Sequence, residues 1–165
     1  MMDKQNLLEQ LRSQIRASAH GAHVAAVEAA QEAQSAMDPA ARGLDSSSAV
    51  ELAKMARGQN KRRERAMGEL SALDAFNPRP LPETSPVRVG ALVEIEDCES
   101  GEGRTFFLAP AGAGATLTGP GGDGHLTVVT PRSPIGRAVL GQEVGEVIDV
   151  TLKGEVREWE ITWVG

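Results

Sequence analysis

Thr130-Pro131-Arg132-Ser133-Pro134-Ile135-Gly136-Arg137-Ala138-Val139-Leu140-Gly141-Gln142-Glu143-Val144-Gly145 decides how the second half of this chain folds. Ser133 is a preferred helix cap, Pro134 suits the first helical position, and Gly141 suits the left-handed turn that closes a helix. A short amphipathic helix over 134–140 follows. Downstream, Ile148, Val150 and Leu152 alternate with polar residues, Lys153-Gly154-Glu155 supplies a turn, and Trp159, Ile161 and Trp163 alternate with Glu158, Glu160 and Thr162. That period of two predicts a half-buried antiparallel strand pair. Upstream, residues 87–96, 104–109 and 126–130 are strand candidates. The Gly-rich stretch 112–124 lacks the Gly-Lys-Ser/Thr ending of a phosphate loop and no helix follows it, so it is expected to be a hairpin connection. Residues 87–165 therefore read as a small antiparallel β domain with one short helix.

The preceding residues have a different character. Asn77 to Pro86 holds four prolines in ten residues, which excludes regular helix or central strand and marks 77–86 as a linker. Before it, residues 3–37 contain no proline. Leu8, Leu11, Ile15, Ala19, Ala22, Ala26, Ala29, Ala33 and Ala36 are apolar, and from Ile15 onward their spacing alternates four and three, the seam of a coiled coil. Asp38-Pro39 stops this helix, because a residue before proline is pushed out of helical geometry. A second helix is expected to start near Ser48, whose spacing to Glu51 is that of a capping box. Its seam reads Ala49, Leu52, Ala56, Gln59, Arg63, Ala66, Leu70 and Leu73. Two helices of about 30 residues joined by a short turn must run antiparallel, giving a hairpin over 1–76 roughly 40 Å long. The fold class is α+β: a helical coiled-coil hairpin, a Pro-rich linker, and a β domain.

Charge is uneven along the chain. The net charge of −6 is carried by the second half: up to Arg79 there are 11 basic and 10 acidic residues, and from Pro80 onward 6 and 13. General electrostatic binding of nucleic acid needs an excess of basic residues, which this chain lacks. The exposed flank of the second helix does carry Lys54, Arg57, Lys61, Arg62, Arg63 and Arg65, and within that run Lys61, Arg62 and Arg65 are the nucleic-acid-facing candidates; a solvated helix face explains the same pattern. Cys98 is the lone cysteine, so an intrachain disulfide is excluded, and Glu96, Asp97 and Glu99 around it disfavour a thiolate. With no signal-like N-terminus and no apolar run of membrane-spanning length, a monomer in a reducing cytoplasm is expected, with no membrane role.

An antiparallel coiled-coil hairpin, a linker and a small sheet containing Ser-Pro-Ile-Gly-Arg-Ala-Val-Leu-Gly at 133–141 resembles the Gre family of bacterial transcription elongation factors. The resemblance covers nearly the whole chain in architecture and is most specific over 133–145 and in the closing hairpin. It implies an FKBP-like β domain that sits on RNA polymerase at the rim of the secondary channel, with Ser133, Pro134, Ile135, Gly136 and Arg137 either shaping the docking surface or only holding the helix in place. It further implies that the hairpin enters the channel, where nascent RNA or DNA is met only inside the polymerase complex. The chain itself would not be an enzyme, and would hold no metal or cofactor alone. Tip acids would instead lend oxygen ligands to a Mg2+ shared with the polymerase active site, so that backtracked RNA is cut.

The tip departs from the family pattern Gly-Asp-Leu-x-Glu-Asn-Ala-Glu-Tyr. Asp45 matches the aspartate with one residue of displacement from Gly43, Ser48 stands where the family has Glu, and Val50-Glu51-Leu52 replaces Ala-Glu-Tyr. Asp38, flanking the same turn, offers a second carboxylate or simply ends the first helix. Two versions of the function stay open: a cleavage factor with a rearranged acidic tip, and a channel-occupying regulator without cleavage. An FKBP-like prolyl isomerase would need an aromatic pocket, and this chain has no Tyr, three Phe and two Trp. A coiled-coil adaptor would leave the 133–145 loop unexplained.

Overall fold

Asp3 opens the first helix by accepting hydrogen bonds from the backbone N–H groups of Gln5 and Asn6 through its carboxylate, at 3.0 and 3.3 Å. In the computed structural model, which describes residues 3–37, 46–119, 122 and 124–165, helix α1 spans Lys4–Met37 and α2 spans Ser46–Asp74. Strands β1 (Leu92–Asp97), β2 (Gly103–Leu108), β3 (Thr116–Thr118) and β4 (His125–Val129) follow, then α3 (Pro134–Val139), β5 (Val147–Leu152) and β6 (Glu155–Val164). Helix α2 begins two residues before the position read from the Ser48–Glu51 spacing, so Ser48 lies in its first turn. Helix ends read from local spacing shift by one or two residues.

The chain divides into two compact units, Ser13–Leu70 and Met1–Arg12 with Ser71–Gly165. In the first, the alternating seam is the buried stripe: Ile15, Ala19, Ala22, Ala26, Ala29 and Ala33 on α1, and Ala49, Ala56, Ala66 and Leu70 on α2. Leu52 and Gln59 are half-buried and Arg63 is exposed. Each alanine methyl contributes about 0.8 kcal/mol of burial, against about 1.5–3 kcal/mol for a leucine.

The second unit combines the ends of both helices with a six-stranded sheet of order β3-β4-β2-β1-β6-β5. Leu7, Leu8, Leu11 and Leu73 are almost fully buried. Gln10 bonds both backbone groups of Thr118 on β3, accepting at 2.9 Å and donating at 3.0 Å. Arg12 pairs with Asp74 at 3.1 Å and donates to the Leu73 carbonyl at 3.1 Å. Two glycines permit this close approach. A Cβ on Gly112 would stand 2.6 Å from Leu11, and one on Gly90 would stand 2.9 Å from Phe76.

The sheet follows the period-two reading. Val93, Ile95, Phe106, Leu108, Trp159 and Ile161 join Ile135 and Val139 of α3 in one core. Leu92 and Phe107, register partners, are also fully buried but fall outside that cluster, as the alternation requires. Thr162 is an extra residue where the β1–β6 register shifts, and its hydroxyl returns to the Glu94 carbonyl at 3.3 Å.

One strand pair differs from the antiparallel expectation. Strand β4 runs parallel to β2, with Phe106 opposite Thr127 and Leu108 opposite Val129. Residues 109–124 lie between them and contribute β3, whose Leu117 opposes Leu126. A parallel return needs a connection of roughly a dozen residues or more, and this segment supplies it. The sheet is therefore mixed.

Candidate functional site

Thr130 and Ser133 build the loop before α3 through mutual hydrogen bonds. The Ser133 hydroxyl donates to the Thr130 carbonyl at 2.7 Å and accepts from the N–H groups of Thr130 and Gly136, both at 3.2 Å. Ser133 has the extended backbone of a helix cap, and Pro134 occupies the start of the helix. Gly136 must be glycine for a reason outside its own conformation, since a Cβ there would collide with the Thr130 carbonyl. After the helix, Gly141 has φ +82° and its N–H donates to Val87, while the Val87 N–H donates to Gln142, each at 2.8 Å. Gly145, at φ +91°, donates to the Ile161 carbonyl at 2.7 Å. The end of the segment is thus tied to the Val87 backbone and to β6.

The five residues read as a docking surface divide by exposure. Pro134 and Arg137 are exposed, Ser133 is half-buried, and Ile135 and Gly136 are buried beneath them. The Arg137 guanidinium donates twice to the Arg132 carbonyl, at 2.9 and 2.8 Å, which fixes the turn and leaves the Arg132 side chain outside. Leu140, Val144 and Val147, which the sequence reading did not single out, are 41%, 44% and 55% exposed. The segment thus presents two arginines, a proline and exposed aliphatic groups on a rigid support.

A second buried polar arrangement lies in the β1–β2 turn. Asp97 is 2% exposed, and its carboxylate accepts from the N–H groups of Glu99 and Ser100, both at 2.9 Å. Those two bonds, Ser100 first, hold its pKa below the ordinary 3.8, with a lesser contribution from Arg157 at 3.5 Å. Gly101, at φ +72°, closes the turn. In the sequence, Asp97 stands out only as an acidic neighbour of Cys98. The signal that it is a turn carboxylate is the Asp97-x-x-Ser100-Gly101 spacing. Cys98 is exposed, yet desolvation of its thiol, followed by the charges of Glu158 and Glu160, pushes its pKa up. That agrees with the expected weak thiolate.

The hairpin candidates are placed as follows. Asp38 and Asp45 lie outside the described residues. Lys61, Arg62 and Arg65 are exposed on α2, and Lys54, Arg57, Lys61 and Arg65 recur at spacings of three, four and four, so they share one face. Among the described residues, no group of three or more His, Cys, Asp or Glu side chains could hold a metal ion, and no helix is long and apolar enough to cross a membrane.

A helical hairpin, a mixed sheet and a capped Ser-Pro loop tied to the closing strands define the structural class of this protein. The family model described as transcription elongation factor, GreA/GreB, C-term matches residues 82–165. That match takes in the whole sheet and the loop, and the chain belongs to the GreA/GreB family. Transcription elongation factor GreA of Alkalilimnicola ehrlichii is 30% identical over 97 residues, 59% of this chain and 56% of that protein. GreA of Alkaliphilus oremlandii is 31% identical over 78 residues, 47% of this chain and 44% of that protein. These matches span about half the length of the relatives. Among solved structures, GreA factor homolog 1 (Gfh1) of Thermus thermophilus is similar with 20% identity and a TM-score of 0.41, over 96% of this chain and 94% of that one.

Proposed function

We propose that this elongation-factor relative binds RNA polymerase through the surface around Ser133–Arg137 and places its helical hairpin in the secondary channel, modulating elongation. The carrying observation is the family match over 82–165, which contains the whole capped loop. The loop's chemistry supports the role: Arg132 and Arg137 offer charge, and Pro134, Leu140, Val144 and Val147 offer apolar contact. Such a mixed surface suits a protein partner. Retention of core RNA polymerase by the immobilised chain tests this. Loss of retention in Pro134→Ala with Arg132→Glu, the fold being intact, is expected; equal retention would remove the surface from the reading.

In this reading the chain is not itself an enzyme and acts on the polymerase active site. A second Mg2+ ion would be shared there and supply an activated water for RNA cleavage. The donor set on this chain fits a hard ion only in part. Asp45 supplies carboxylate oxygens, Asp38 is a second such donor, and Ser48 supplies a neutral hydroxyl where the family pattern has a carboxylate. That single substitution favours the second reading, a regulator that occupies the channel without promoting cleavage. Lys61, Arg62 and Arg65 would face nucleic acid within the complex. The chain would act as a monomer in the cytoplasm.

A further inference from the structure

The seam between Ile15 and Leu70 is made almost wholly of single methyl groups: Ala19, Ala22, Ala26, Ala29, Ala33, Ala49, Ala56 and Ala66 are its other fully buried apolar residues among those described. The leucines that bury most, Leu7, Leu8, Leu11 and Leu73, belong to the unit that includes the sheet. The outer seam is also broken by half-buried Gln59 and exposed Arg63. A second, independent weakness lies in the backbone. Gly21, Gly58 and Gly68 sit in the helix interiors with open space where a Cβ would stand, so no packing requires glycine at these positions. Each glycine lowers the helical equilibrium by about fivefold relative to alanine. Long helices in proteins draw most of their stability from a buried apolar face, and here that face is thin.

We propose that the helical residues 13–37 and 46–70 open and close as one cooperative unit in the free protein while the helix ends at Lys4–Arg12 and Ser71–Asp74 remain folded with the sheet. The hairpin is then a conformational device, since only its closed fraction can fill a partner's cavity and the apparent affinity falls by that fraction. Opening itself follows from the packing of the free chain, while its effect on affinity rests on the proposed insertion of the hairpin into a channel.

Native-state hydrogen exchange on the full chain tests it, using wild type and the triple variant Gly21→Ala, Gly58→Ala, Gly68→Ala. Wild-type amides in 16–36 and 50–69 should share one opening equilibrium and exchange, after correction for intrinsic rates, about a hundredfold faster than those of β1 and β6. The triple variant should slow hairpin exchange by roughly a hundredfold and leave β1 and β6 unchanged. Protection of the hairpin equal to that of the sheet would overturn the proposal. So would graded fraying with no shared opening, or an equal slowing of hairpin and sheet. Should the variant not fold, the wild-type profile decides alone.

Discussion

At the scale of single residues, two side chains in the β1–β2 turn carry opposite electrostatic lessons. Asp97 is buried but welcomes its charge, because two backbone N–H groups point at it. Its folded pKa is lowered, so its stabilisation is present above the ordinary 3.8 and is lost as pH falls through the lower folded value. Acid unfolding followed by circular dichroism should show this loss below about pH 4 in wild type. Asp97→Asn should be less stable than wild type at pH 7 and flatter in that acid window; an unchanged acid limb would assign the loss to other carboxylates. Cys98 is exposed but resists its charge, since desolvation and then Glu158 and Glu160 oppose a thiolate. Iodoacetamide should modify it several-fold more slowly at pH 8 than an unstructured peptide thiol, with the midpoint of the rate profile displaced upward. Replacement of Glu158 and Glu160 by Gln should recover part of that rate.

At the scale of elements, α3 and the helix ends show how local chemistry and long-range contact divide the work. Ser133→Ala removes a cap that also braces Thr130, and should cost about 0.5–2 kcal/mol in chemical denaturation. Gly136→Ala keeps a good helix former but drives a methyl into the Thr130 carbonyl, so a cost of about 1–3 kcal/mol is expected despite the gain in helix propensity. A stabilised Gly136→Ala protein would mean that the loop yields freely. On α1, Leu11 is fully buried beside Gly112. Leu11→Ala should cost about 2–5 kcal/mol and should perturb the sheet unit, visible in the near-ultraviolet signal of Trp159 and Trp163.

At the scale of the whole molecule, a stalled, backtracked polymerase complex supplied with Mg2+ tests the proposed role of the hairpin tip. Wild type, Asp45→Ala and Asp38→Ala should each bind the polymerase alike. If Asp45 assists a shared metal, its loss should lower RNA cleavage at least tenfold, and equal cleavage by all three would remove both acids from the chemistry. Much of the architecture was legible in the chain itself. The three–four spacing from Ile15 to Ala33 marked the buried face of α1, and Ser133, Pro134 and Gly141 marked a helix found within one residue of its expected end. These are local signals, written in periodicity and backbone preference, and neighbouring residues suffice to express them. The parallel pairing of β4 with β2, the burial of Leu7 and Leu11 in the unit that includes the sheet, and the Thr130 carbonyl that forbids a side chain at Gly136 became visible only in the folded chain. Each depends on segments distant in sequence or on atoms of the backbone, whose positions no residue type announces, and tertiary packing decided them.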